Sequence, residues 1–160
     1  MGAFPITYNP DGTIQESPYF KDTKLEQVGT FDPYKNRVEA ETMAWGFGLK
    51  TIKTATGQIY VTNVNTDEYI LIKGVDFGTQ KITKFIANCA AIIGGTIELH
   101  IDAANGKKIG AVSVKSTGSE TTFKDFSGAI SNPKGVHDLY IVFKGVKDKN
   151  LMNFDYWKIQ

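Results

Sequence analysis

The chain has 160 residues, of which 41% are hydrophobic and 22% charged, proportions that suit one folded domain and exclude a disordered, collagen-like or coiled-coil polypeptide. Lys and Arg number 18 against 17 acidic residues, and the resulting net charge of +1 offers nothing to draw a nucleic acid. The longest apolar runs, such as Ala90-Ala91-Ile92-Ile93, fall far short of the ~20 residues of a membrane helix, so a soluble protein with no membrane partner is expected.

Residues 1–36 carry turn signals such as Asn9-Pro10-Asp11-Gly12 and Phe31-Asp32-Pro33 and read as a linker, the end of something upstream. Phe4, Ile6, Tyr8, Ile14, Tyr19 and Phe20 make the stretch too apolar for a purely solvated tail. The start, Met1-Gly2-Ala3-Phe4-Pro5, has no basic stretch and no apolar signal core, so export is not readable there.

From Arg37 onward, short runs rich in Val, Ile, Thr, Tyr and Phe alternate with Gly, Asn, Asp and Ser clusters at intervals of about 8–12 residues, the rhythm of an all-β sandwich. The pattern predicts strands over 37–42, 49–53, 59–64, 69–73, 82–89, 96–102, 108–114, 121–126, 136–144 and 153–159. In 96–102, Ile97, Leu99 and Ile101 share one face, which leaves the other side of the strand to water. No window carries an apolar stripe at helical period, and the glycines fall mostly between strands, where positive φ is needed. Cys89 is the lone cysteine, which rules out an intramolecular disulfide and thiolate zinc sites; within its strand it reads as an inert buried thiol. His100 and His137 also fall in predicted strands with no nucleophile constellation beside them, and read as structural.

Several blocks recur in a recognisable order. Arg37-Val38-Glu39-Ala40-Glu41 opens the domain, Gly74-Val75-Asp76-Phe77-Gly78 follows the fourth predicted strand, and Gly94-Gly95-Thr96-Ile97-Glu98-Leu99 starts a central one. Gly135-Val136-His137-Asp138-Leu139-Tyr140 then leads toward Leu151-Met152-Asn153-Phe154-Asp155-Tyr156-Trp157. In that order and spacing they resemble family 6 carbohydrate-binding modules over residues 37–160. The stretch Tyr8-Asn9-Pro10-Asp11-Gly12-Thr13-Ile14-Gln15 looks like the last strand and exit of a family 43 glycoside hydrolase, and Glu41-Thr42-Met43-Ala44-Trp45 is similar to modules on its arabinoxylan-cleaving members. The resemblance implies a jelly-roll β-sandwich that performs no catalysis. It implies an accessory domain of a secreted, extracellular hemicellulase, linked to a catalytic domain and partnered with xylan or arabinoxylan.

Glu39 and Glu41, two apart on a strand, point to the same face and repel unless a cation or a basic partner lies between them. A hard cation answers that need, as does a solvated or Lys-paired edge. The resemblance implies a structural Ca²⁺ held by Glu39, Glu41, Asp155 and a loop carbonyl near Thr56 or Gly57.

Sugar sites need aromatic platforms beside fixed hydrogen-bonding groups. The family's loop-edge cleft uses a Tyr, a Trp, an acidic residue and an Asn, which here fall on Asn63, Glu120, Ile52 and Asn153, so both aromatic platforms are missing and the Asn survives. Tyr60 is a substitute platform, otherwise exposed strand surface. Trp45 with Phe47, in a Gly-rich turn, is either a rebuilt platform or a plug of the sandwich end. Phe123 aligns with an interior Trp of the family and is expected in the core. Two other roles stay open: a structural companion that packs its decayed cleft against the catalytic domain, or glucan binding on the concave sheet face.

Overall fold

The computed structural model describes residues 8–13, 30–34 and 37–160, so Phe4, Ile6, Ile14, Tyr19 and Phe20 lie outside the described residues. Eleven strands are present among them: β1 (Val38–Glu39), β2 (Trp45–Phe47), β3 (Lys50–Lys53), β4 (Ile59–Thr62), β5 (Tyr69–Asp76), β6 (Lys84–Ala91), β7 (Gly95–Ile101), β8 (Lys107–Val114), β9 (Ser119–Ala129), β10 (Val136–Lys144) and β11 (Asn153–Ile159). They form two antiparallel sheets. One runs β3-β4-β11-β6-β9 with β1 on β11, and the other runs β2-β5-β10-β7-β8. The all-β sandwich read from the sequence is the observed architecture, and no helix occurs among the described residues.

Alternation decides what goes between the sheets. Ile70 and Ile72 on β5, Ile97 and Leu99 on β7, and Leu139, Ile141 and Phe143 on β10 meet Phe85, Ala87 and Cys89 on β6 and Phe154 and Trp157 on β11. The rings of Phe143 and Phe154 cross between the sheets edge to face, with centroids 6.0 Å apart, and Trp157 stacks on Phe85 at 5.5 Å. Burial pushes the Cys89 thiol well up, with the Asp125 and Asp155 charges adding to it, which keeps it protonated and inert.

Phe31 and Tyr34 belong to this packing although they lie in the stretch read as linker. The Phe31 N–H donates to the Gly74 carbonyl at 2.8 Å, its own carbonyl accepts from Asp76 at 2.9 Å, and its ring lies 6.3 Å from that of Trp157. The Tyr34 hydroxyl donates to the Phe77 carbonyl at 2.8 Å. A short strap thus runs beside β5 and reaches Trp157 of the other sheet.

Three expectations need correction. Trp45-Gly46-Phe47 is an edge strand paired with Tyr69–Leu71, not a turn; three residues are too few to show a period. The strand expected over 37–42 stops at Glu39, and Glu41 follows in a turn where the Thr42 N–H donates to the Glu39 carbonyl. Phe123 is not in the core: its neighbour Lys124 pairs with the inward-facing Cys89, so Phe123 turns outward and lies against Tyr60, with centroids 5.2 Å apart. Tyr60 is accordingly buried at 7% exposure rather than exposed.

β8 and β9 close one seam of the sandwich through Gly110 and Gly128, where a Cβ on Gly128 would collide with the Ala111 carbonyl. Gly128→Ala is expected to cost about 2 kcal/mol or more by forcing these backbones apart, whereas Gly118→Ala, at φ +82° in open space, costs about 1 kcal/mol; urea midpoints compare the two.

Candidate functional site

Three regions gather the residues that could act. The first is a cavity of about 200 Å³ lined by Arg37, Glu39, Glu41, Gly57, Gln58, Ile59 and Asp155. Each carboxylate arrives by a different route. Glu39 comes from β1, Glu41 from the turn after it, and Asp155 from a bulge of β11, between Phe154 opposite Cys89 and Tyr156 opposite Asn88. A bulge turns a side chain away from the regular alternation, which explains how an acid sits at 6% exposure in an otherwise apolar strand. Gly57, at φ +91°, closes the β3–β4 turn beside them.

The electrostatics of this cavity are strained in one direction. Burial raises the Glu41 carboxyl above the usual range, against a local backbone hydrogen bond, and the charges of Glu39 and Asp155 raise it further. Burial likewise raises Asp155, with Gln58 and Arg37 pulling it back. Glu41 Oε2 is buried without a hydrogen-bond partner. Arg37 Nε donates to Glu39 Oε1 at 2.7 Å. Among the described residues no three His, Cys, Asp or Glu side chains are grouped tightly enough to grip an ion as they stand. In donor chemistry the set still fits a hard cation: three carboxylates share one cavity and one oxygen has no partner.

The second region is the loop edge. Asn153 is 3% exposed, and its amide is consumed within the protein. Its Nδ2 donates to the Glu120 carbonyl at 2.7 Å, and its Oδ1 accepts from Thr62 Oγ1 at 2.7 Å and Asn150 Nδ2 at 3.3 Å. Asn150 also donates to Glu120 Oε1 at 3.4 Å, and Asn63, held at φ +57°, donates to the Gly48 carbonyl. The structure thus brings Asn153 and Glu120 together, ties Asn63 back to Gly48, and leaves Tyr60 beneath Phe123. Ile52, at the position of the expected acid, is 45% exposed on an edge strand.

The third region is the outer face of the five-stranded sheet. Trp45 and Phe47 on β2 are 56% and 55% exposed. Phe47 pairs with Tyr69 and stacks on it at 5.6 Å, and Tyr69 meets Tyr140 at 5.5 Å. Leu71 and Val142, buried but outside the interior cluster, floor the row. Beyond Tyr140 and Val142 come His100 and Glu98 on β7. Glu98 accepts from Lys108 Nζ at 2.6 Å and lies 3.3 Å from His100 Nε2. The Lys108 hydrogen bond, helped by His100, holds the Glu98 carboxyl below its ordinary range against burial, so it stays a charged acceptor. Burial raises the Tyr140 phenol, which remains a neutral hydroxyl at neutral pH. Phe47 and Tyr69 lie nearly parallel and Tyr140 is tilted 55° to Tyr69, and an aromatic strip ending in fixed polar groups is what a chain of sugar rings needs. Tyr69 and Tyr140 escaped the sequence reading because each looks like packing within its own strand. The available signal was their placement, Tyr69 with Leu71 and Tyr140 with Val142, on the faces opposite Ile70 and Ile141.

Residues 39–160 match the family described as carbohydrate binding module (family 6). Arabinoxylan arabinofuranohydrolase of Bacillus subtilis (strain 168) is 39% identical over 158 residues, covering 96% of this chain and 30% of the relative, so the chain spans under a third of that protein. Among solved structures, a glycoside hydrolase family 43 arabinoxylan arabinofuranohydrolase from Bacillus subtilis, in complex with cellotetraose, is 38% identical with a TM-score of 0.81 over 97% of this chain and 32% of that one. A family 6 carbohydrate-binding module from Clostridium cellulolyticum, in complex with xylose, is 32% identical with a TM-score of 0.76 over 81% of this chain and 99% of that one.

Because its amide ties β4, β9 and the loop before β11 together, Asn153→Ala is expected to lower stability by about 2 kcal/mol, read from denaturant midpoints.

Proposed function

The chain belongs to family 6 of the carbohydrate-binding modules, and from that footing we propose that it tethers a hemicellulose-degrading enzyme to xylan or arabinoxylan through the outer face of its five-stranded sheet. It makes and breaks no bonds itself. Its contribution is effective concentration: a catalytic domain joined to a module on the polymer meets far more substrate than one diffusing alone. An insoluble plant polymer as target places that work outside the cell.

The observation that carries this reading is the aromatic row formed by the exposed Trp45 and Phe47 with the half-buried Tyr69 and Tyr140 beside them, neighbouring rings lying 5.6 and 5.5 Å apart from Phe47 onward. The flat apolar faces of β-linked sugar rings lie on such a strip, while Glu98 and Lys108 meet hydroxyls at its end. The loop edge favours the sheet face further, because Asn153 and Asn150 are bonded to Glu120, and Asn63 is bonded to Gly48, with no aromatic platform at Asn63 or Glu120. The ligands and substrate of the relatives, cellotetraose, xylose and arabinoxylan, support a β-linked plant polysaccharide.

The reading includes a structural calcium. Glu39, Glu41 and Asp155 would hold it, with the Gly57 turn at the rim, and the ion would supply the positive charge that three crowded carboxylates lack.

Calorimetric titration with xylo- and cello-oligosaccharides tests the face. Trp45→Ala and Tyr140→Ala should each weaken binding about tenfold, while Asn63→Ala and Glu120→Ala leave it unchanged; the reverse pattern moves the site to the loop edge. A folded protein that gives no heat with either series overturns tethering in favour of a companion module packed on its catalytic domain. For the metal, chelator should lower Tm by about 5 °C or more and calcium restore it, with Glu41→Gln losing the response.

A further inference from the structure

Arg37 stands in the carboxylate cavity without belonging to any cation-binding set. Its guanidinium is one wall of the space that Glu39, Glu41 and Asp155 share, and its Nε takes Glu39 Oε1 at 2.7 Å. We propose that Arg37 is a tethered counter-cation, occupying Glu39 in exchange with a divalent ion and so setting how tightly this cavity takes calcium. The inference rests on the calcium reading given above.

The physical case has three parts. A divalent ion among these carboxylates brings two positive charges to where the guanidinium already supplies one, so the two compete for Glu39. The pair is half open to water, with side-chain exposures of 51% and 36%, and such pairs are weak enough to exchange. The displaced guanidinium also has a surface to rest on. Its central carbon is 4.9 Å from the centroid of the Tyr156 ring, and Tyr156 pairs directly with Glu39 across β1 and β11. That ring is fixed by its hydroxyl, which donates to Asp125 Oδ1 at 2.9 Å. Arg37 can therefore let go of Glu39 and keep a favourable contact within the same few ångströms.

The test is calorimetric titration of chelator-stripped protein with CaCl₂, for the wild type, Arg37→Gln and Arg37→Lys, with Tm measured in chelator for each. Arg37→Gln should tighten the calcium Kd roughly three- to tenfold and lower the metal-free Tm by a few degrees, since it removes a competitor and leaves the carboxylates unbalanced. Arg37→Lys keeps the charge and should stay near wild type in both. Calcium binding by all three proteins with one Kd, or weaker binding by Arg37→Gln, overturns the role of Arg37 while leaving the calcium site standing. An absence of calcium heat from all three overturns the calcium reading and this inference with it.

Discussion

Ile70, Ile72, Ile141 and Phe143 turn inward to seal the space between the sheets, and successive side chains of a strand point to opposite faces. Tyr69, Leu71, Tyr140 and Val142 are therefore obliged to face outward. One constraint sets both the core and the display surface: any register that buries the isoleucines also lays the tyrosines side by side, because β5 and β10 are hydrogen-bonded neighbours with Tyr69 opposite Val142 and Leu71 opposite Tyr140. Edge strand β2 then adds Trp45 and Phe47 in step with Leu71 and Tyr69. The rigidity of the aromatic strip is thus borrowed from the interior, where fully buried rings and branched side chains leave the strands no room to slide.

The opposite sheet solves a different problem with an irregularity. A regular β11 would send Asp155 into the apolar interior or onto the open face; the bulge between Phe154 and Tyr156 instead directs it to the cavity beside β1. The result is a concentration of negative charge in a partly dehydrated place, visible as raised Glu41 and Asp155 carboxyls and an unpartnered Glu41 oxygen. Arg37 supplies the one neighbouring guanidinium, and it is shared between Glu39 and the face of Tyr156. Charge balance in this corner bears on how β1 and the β3–β4 hairpin are held to β11.

The loop edge satisfies its polar groups within the protein. The Asn63 amide donates to the Gly48 carbonyl, and the Glu120 carbonyl accepts from the Asn153 amide. Buried polar groups find partners in the protein, because leaving them unsatisfied costs more than rearranging a side chain. Asn153, at the start of β11, is a structural tie.

Strand order along the chain, the all-β class and the interior positions of residues such as Ile97, Leu99 and Ile101 were determined by the sequence itself, since period-two alternation and glycine-marked turns are local properties. So were the residues of the carboxylate group, though not their geometry: Glu39 and Glu41 were expected on one strand, and they reach a common cavity from a strand and a turn. What only the tertiary structure decided is which outward faces adjoin. Tyr69 and Tyr140 are 71 positions apart, and nothing within either strand reveals that their rings meet. Phe123 turned outward onto Tyr60 because the pairing of β6 with β9 set the facing of β9, and Phe31 joined the fold because Trp157 and β5 offered it a ring and two backbone partners. Pairing between distant strands is fixed by the summed packing of the whole interior, and that sum is not written in any one segment.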